Sequence, residues 1–158
     1  MKNKELNYID IKWMKKALDL AKTASSIGEV PVGALIVKDH AMIGKGYNSP
    51  ISFCDPTAHA EISAIRDAAQ SIKNYRLSGA TLYVTIEPCT MCIGAIIHAR
   101  IARLVYGALE PRAGAVISSL KLPSLPHYNH RLDVQGGVMA EECGGLMSDF
   151  FKKRRPLA

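Results

Sequence analysis

Four side chains in two short stretches carry the chemistry open to this chain. His59-Ala60-Glu61 sets an imidazole two residues before a carboxylate, and Pro88-Cys89-Thr90-Met91-Cys92 sets two thiols three residues apart. A C-x-x-C pair can bring two thiolates to one ion, and an imidazole adds a third donor. Four protein ligands close a structural zinc site, whereas three leave a position where water is acidified toward a pKa of about 7. Three donors with an acid nearby therefore point to hydrolytic chemistry, with His59, Cys89 and Cys92 as candidate ligands and Glu61 as candidate proton carrier. The C-x-x-C pair alone suits a redox dithiol or a zinc ribbon equally well. A ribbon needs a fourth ligand, and Cys54 and Cys143 are the remaining cysteines; Cys143 falls at a core-facing helix position and reads as packing.

Those side chains need a scaffold, and the chain is long enough to build one. At 158 residues with 48% hydrophobic content, a single domain spanning 1–158 can enclose its own core. No signal peptide is read at the start and the close thiol pair has metal spacing, so a reducing cytoplasm is the expected compartment. The longest apolar runs, 32–37 and 92–97, fall far short of the roughly 20 residues that cross a bilayer. Net charge is +6, with Lys152, Lys153, Arg154 and Arg155 consecutive near the end. Such a run attracts phosphate backbones or simply forms solvated surface, and charge alone leaves both open.

Apolar residues at every third or fourth place over 7–27 predict an amphipathic helix that Gly28 stops. Residues 32–38 and 42–47 read as strands of a hairpin turning at Asp39-His40, followed by a loop over 48–55 with an apolar tip at Ile51 and Phe53. Asp55 and Pro56 read as the cap and first turn of a second helix that carries His59 and Glu61 within its first turns. On a helix those two would stand about 200° apart and reach a shared water from different sides. A strand at 81–86 delivers Glu87-Pro88, and Cys89 starts a helix over 90–99. Glu87 either hydrogen-bonds behind the site or closes the strand. Further on, 103–108 reads as a strand, the proline-bearing stretch 110–129 as a loop, 131–135 as a short strand and Gly136-Gly137 as a turn. A final helix covers 138–153 with Met139, Cys143, Leu146, Met147 and Phe150 inward. The two ligand sets converge if their helices are neighbours on one face of the sheet. His40, His98, His127 and His130 have no ligand spacing and read as surface or loop hydrogen-bonders.

The His59-Ala60-Glu61 and Pro88-Cys89-Thr90-Met91-Cys92 pair resembles the H-A-E and P-C-x-x-C motifs of zinc-dependent nucleobase deaminases, and more specifically the bacterial tRNA-specific adenosine deaminases. The likeness covers almost the whole chain, through Glu29-Val30-Pro31-Val32-Gly33-Ala34, Asp55-Pro56-Thr57-Ala58-His59-Ala60-Glu61, Asn74-Tyr75-Arg76-Leu77, Asn129-His130-Arg131 and Ser148-Asp149-Phe150-Phe151. The resemblance implies an α/β fold of three layers, α/β/α, with a mixed, cytidine-deaminase-like sheet. It implies hydrolytic deamination of adenosine to inosine at the wobble position of a tRNA anticodon, with a single Zn2+ on His59, Cys89 and Cys92. Its bound hydroxide would attack C6 of adenine while Glu61 shuttles protons. Asn48, Val30 and Phe151 would hold or wall the flipped base, Glu110, Asn129 and Arg154 would lie around the RNA loop, and the protein would be a cytoplasmic homodimer.

One stretch departs from the family pattern. Members show Asp-x-Lys-x-Gly-Ala-x-Gly-Ser where this chain reads Glu110-Pro111-Arg112-Ala113-Gly114-Ala115-Val116-Ile117-Ser118, which leaves the contact made by Glu110 open. The rival activities are deamination of free guanine or cytosine bases or nucleotides, and a non-catalytic, zinc-stabilised RNA-binding module. The basic tail and Asn129-His130-Arg131 favour RNA over free bases, and Glu61 argues against a module without catalysis. Iron in place of zinc would suit the same donors.

Overall fold

The structure, a computed structural model, describes residues 2–155. Of the periodic apolar residues Ile9, Trp13, Ala17, Leu20, Ala21 and Ala24, the first helix, α1 (Lys2–Ser26), buries all but Ile9 and Leu20, which are half-buried, and it buries Met14 and Leu18 as well. Gly28 follows at φ 83, a left-handed conformation that turns the chain out of the helix and into the sheet. Strands β1 (Gly33–Lys38) and β2 (Ala41–Tyr47) form the expected hairpin. Asp39 and His40 sit at φ 50 and 62, the two positive values that a two-residue turn matched to strand twist demands.

The loop predicted over 48–55 contains a single helical turn, α2 (Pro50–Phe53), whose Ile51 and Phe53 project into solvent. Helix α3 (Ala60–Ile72) begins later than its local signals predict. Asp55 does not cap it; its Oδ1 instead accepts from the Thr57 N–H at 2.8 Å and the Thr57 hydroxyl at 2.7 Å, closing a local turn. Strand β3 (Thr81–Ile86), helix α4 (Thr90–His98) and strand β4 (Arg103–Ala108) follow. The last strand is shorter than predicted, β5 (Asp133–Gln135), and the final helix, α5 (Ala140–Arg154), starts two residues after the expected point because Met139 adopts φ 55.

The five strands are ordered β2-β1-β3-β4-β5, antiparallel across β2-β1-β3 and parallel across β3-β4-β5. Alternation along the central strands splits the core in two. Ala34, Ile36, Leu82, Val84, Leu104 and Tyr106 pack against α3 and α4, whereas Leu35, Val37, Tyr83 and Val105 pack against α1 and α5. The expected three-layer α/β/α arrangement with a mixed sheet is what forms. On the second face Asp10 of α1, 4% exposed, takes a two-pronged ion pair from Arg103 at 2.8 Å and a hydrogen bond from the Tyr83 hydroxyl at 2.9 Å. That buried network pins α1 across β3 and β4.

The edge strand approaches α3 through glycine. A methyl group on Gly46 would stand 2.6 Å from the Ala60 carbonyl oxygen and the Ala64 nitrogen, and one on Gly44 would meet Ala64 and Ala68 as closely. The missing side chains let α3, which bears Glu61 and directly follows His59, lie directly on the strand. Gly46→Ala is therefore expected to destabilise the protein by about 1–3 kcal/mol through overpacking. The check is a denaturant titration, in which the midpoint should fall with little change in slope.

Candidate active site

Both halves of the metal-ligand motif end up at the starts of helices. His59 is the residue preceding α3 (φ −72, ψ 154) and Cys89 the residue preceding α4 (φ −78, ψ 175), each with extended backbone. Their carbonyls already accept the first helical hydrogen bonds, from Ser63 at 3.0 Å and Ile93 at 3.0 Å. Such a position usually holds a serine, threonine or aspartate whose side chain folds back onto the helix. Here neither side chain does so, and both are free to turn toward each other. The sequence-based picture of His59 and Glu61 on one helical wheel is thereby corrected, since His59 lies outside the helix and Glu61 inside its first turn.

The three donor atoms converge. His59 Nδ1 stands 3.6 Å from Cys89 Sγ and 3.6 Å from Cys92 Sγ, and all three lie within 4.8 Å of one another. Donors on a tetrahedral zinc with bonds of about 2.3 Å to sulfur and 2.0–2.1 Å to nitrogen are separated by about 3.6 Å, so the cluster fits that ion without rearrangement. Among the described residues no other group of His, Cys, Asp and Glu is so disposed. Among the described residues no fourth protein ligand closes it: Cys54 is exposed, and Cys143 is buried beneath Gly107 in the other core layer, as its helical position predicts.

The electrostatics divide the two thiols. A hydrogen bond from Cys92 holds the Cys89 thiol down at about 4, against the opposing effect of burial and with the help of His59. Cys92 is pushed up by that same hydrogen bond and by burial. The bond to Cys89 raises the His59 imidazole. Glu61 is 3% exposed, beside the Cys92 thiol, and burial lifts its carboxyl above the ordinary range. A group able to hold a proton thus stands next to a three-donor cluster.

The sheet topology collects most of the other candidate residues at this end. The start of β1, the end of β2 and the exits of β3 and β4 all lie together, because β1 is antiparallel to both its neighbours. Asn48 leaves β2 half-buried, its N–H donating to the Val32 carbonyl at 3.0 Å, and half-buried Val30 packs against the core on the α3–α4 face. Glu110, Phe151 and Arg154 line one groove of about 910 Å³ that also receives Arg112, Lys152 and Arg155. The aromatic pair divides as its helical phase dictates, Phe150 buried and Phe151 45% exposed. Arg154 lies 4.4 Å over the Phe150 ring and donates to the Gly28 carbonyl, which ties the end of α5 to the approach to β1.

Asn129 is elsewhere. It accepts a 2.8 Å hydrogen bond from Arg100 in a hollow shared with Arg76, Ser78, Gly79, Ala102 and His130, where β3 and β4 begin. Six-residue strands put that hollow about 20 Å from the metal-ligand end. His130 is held by the Ile101 carbonyl at 2.6 Å and His127 stacks on Tyr128, so both are loop residues, as read from the sequence.

Two buried acids complete the surroundings. Glu29, 1% exposed, accepts from the N–H and hydroxyl of Ser52 at 2.7 and 2.9 Å and so holds the α2 turn; the sequence reading assigned it no role. Glu87, which the sequence left between two readings, is 1% exposed and hydrogen-bonds behind the site. Its burial acts to raise the carboxyl, but the Ser118 hydroxyl and the N–H groups of Ile117, Ser118 and Glu110 outweigh that and hold it below the usual value. A single glutamate among apolar strand residues was the one available signal.

The family profile of MafB19-like deaminases matches residues 9–155. A tRNA-specific adenosine deaminase of Haemophilus influenzae is 53% identical over 147 residues, 92% of this chain and 85% of that protein. One from Bacillus subtilis is 41% identical over 143 residues, 90% and 89% of the two chains. This chain belongs to the tRNA-specific adenosine deaminases. A solved structure from work on A-to-I editing by tRNA:A34 deaminases at the wobble position of transfer RNA superposes with a TM-score of 0.82 at 45% identity, covering 84% of this chain and 96% of the other. A guanine deaminase from Nitrosomonas europaea, 22% identical with a TM-score of 0.72 over 87% and 81% of the two chains, shares the fold. Membership makes the protein a hydrolytic deaminase, and the cluster of His59, Cys89 and Cys92 is a group that could hold a metal ion.

Proposed function

We propose that the protein converts adenosine to inosine at the wobble position of a tRNA anticodon. The observation that carries this reading is the buried Glu61 carboxyl beside a His–Cys–Cys cluster that has no fourth protein ligand among the described residues, in a chain 53% identical to a tRNA-specific adenosine deaminase. His59, Cys89 and Cys92 would hold zinc, and when bound the metal supplies the Lewis acidity that lowers the pKa of a water toward about 7. Glu61 accepts the proton that this water gives up and delivers it to N1 of the adenine as oxygen adds at C6. It then takes the remaining proton from the oxygen added at C6 and gives it to the exocyclic nitrogen, so that the C6–N bond breaks, ammonia leaves and inosine remains. Asn48 and Val30 hold the base at the mouth of the site, and Phe151 closes it on the α5 side.

The RNA loop lies along the groove lined by Glu110, Arg112, Phe151 and Arg154, where four cations meet phosphates. Asn129 belongs to the same proposal as a contact made at the far end of the sheet. A single deaminase domain acting as a homodimer in the cytoplasm completes it. Exposed Leu109, Ile117, Leu120 and Leu125 offer apolar surface for a second copy, and no described helix is long and apolar enough to cross a membrane.

The deciding experiment incubates the zinc-loaded protein with an anticodon stem-loop RNA bearing adenosine at the wobble position and measures inosine by nucleoside analysis. Conversion confined to that position is expected. Deamination of free guanine or cytidine with the RNA untouched would overturn the substrate while leaving the site chemistry in place, and RNA binding without ammonia release would overturn catalysis.

A further inference from the structure

One buried carboxylate organises the segment between β4 and the far hollow. Glu87 stands at the exit of β3, two residues before Cys89. Its Oε1 accepts three successive backbone N–H groups, from Val116 at 3.1 Å, Ile117 at 2.8 Å and Ser118 at 2.9 Å. Its Oε2 accepts from the Glu110 N–H at 3.0 Å and from the Ser118 hydroxyl. Both ends of the loop therefore hang on one side chain. Gly114 makes the approach possible, because a methyl group there would come within 2.4 Å of the carboxyl carbon and Oε2 of Glu87. The loop is further joined to the ligand strand by a bridge between Gly114 and Cys89 and by the Ala115 N–H on the Pro88 carbonyl at 2.8 Å.

We propose that Glu87 is a positioning residue that sets the substrate-reading loop, with Glu110 and Arg112, at a fixed register relative to the Cys89 ligand. The inference rests on the proposed RNA deamination and deepens it. Among the described residues the Glu110 N–H and the Ser118 hydroxyl find their acceptor on one oxygen of this carboxylate, and the opposite oxygen serves the three N–H groups. Glu110 is itself committed locally, its Oε1 accepting the Arg112 N–H at 2.9 Å. Moving the Glu110 backbone thus moves both the acid and the arginine that line the groove. Four of the five donors the anchor holds are backbone N–H groups, which survive any substitution except proline; the fifth is the Ser118 hydroxyl.

Glu87→Gln tests this. The amide keeps the volume and one oxygen, which remains with the three N–H groups, while its NH2 faces the Glu110 N–H and releases that end. With holoenzyme and the stem-loop RNA, KM is expected to rise about 10- to 100-fold with kcat changed less than about threefold. Zinc content should equal the parent's, and amide hydrogen exchange should quicken at 110–118 but not within α4. Ser118→Ala, which deletes the hydroxyl alone, should raise KM about threefold in the same direction, and it carries the test if the glutamine variant does not fold. Unchanged KM and exchange would overturn the proposal, and so would loss of zinc with collapse of kcat, which would make Glu87 a support of the metal site. A parent protein that leaves the RNA unconverted refutes the functional reading alone, since exchange and zinc content are measured without RNA.

Discussion

Glu61→Gln is expected to lower kcat by about 10³-fold or more while zinc content and melting temperature stay close to the parent's. The physical reason is that the amide matches the carboxyl in shape but can neither take a proton from water nor return one to the base. Glu61 is 3% exposed in the first turn of α3, and burial already raises its carboxyl. An uncharged isostere is therefore tolerated there, and folding should not report the change. The proposed metal donors are His59, Cys89 and Cys92, and the substitution leaves all three in place. The measurement is single-turnover inosine formation together with elemental analysis of the same sample. A variant with normal turnover would remove Glu61 from the proton pathway, and one that has lost its metal would make it a structural support.

Stripping the metal should have an equally large effect, on stability as well as on turnover. Dialysis against a chelator is expected to bring inosine formation to background and to lower the melting temperature by about 10 °C, with both restored by added zinc. A ligand present at a thousandfold its Kd stabilises the folded state by about 4 kcal/mol, and each kcal/mol is worth about 2–4 °C in a domain of this size. Without the ion, a thiolate at Cys89 is left facing a second thiol and a buried acid, held chiefly by hydrogen bonds from Cys92 and His59. His59→Ala should behave like the stripped protein but resist rescue by zinc. Full activity in metal-free protein would refute the three-donor reading, and elemental analysis of the purified protein decides between zinc and iron.

The limits of local information show at particular residues. Strands Thr81–Ile86 and Arg103–Ala108 were legible to the residue because both are runs of branched and aromatic side chains, buried on both faces of the sheet. The start of α3 was not. Asp55-Pro56 is a strong local start signal, yet the aspartate closes a turn with Thr57 and the helix waits until Ala60. Extended backbone at His59 lets its ring reach two sulfurs 30 and 33 residues away. Glu87 illustrates the same point, since its partners lie 23 to 31 residues on and leave no periodic trace.

The candidate reacting groups were picked out by residue type and spacing alone, and the structure brings them together. A histidine, two cysteines at C-x-x-C and an adjacent glutamate have few chemical uses together, and ligand preference is a property of the atoms rather than of the fold. The helices, the central strands and the α/β class followed from hydrophobic periodicity for a similar reason, as each residue's burial repeats with its element. What only tertiary structure decided is where everything else stands relative to that chemistry. Strand direction places Asn48, Glu110, Phe151 and Arg154 at the metal-ligand end and Asn129 at the other. Bare glycines at 44, 46 and 114 set how closely α3 and the 110–118 loop approach. These are contacts between residues far apart in sequence, and their energy depends on distances that no local pattern encodes.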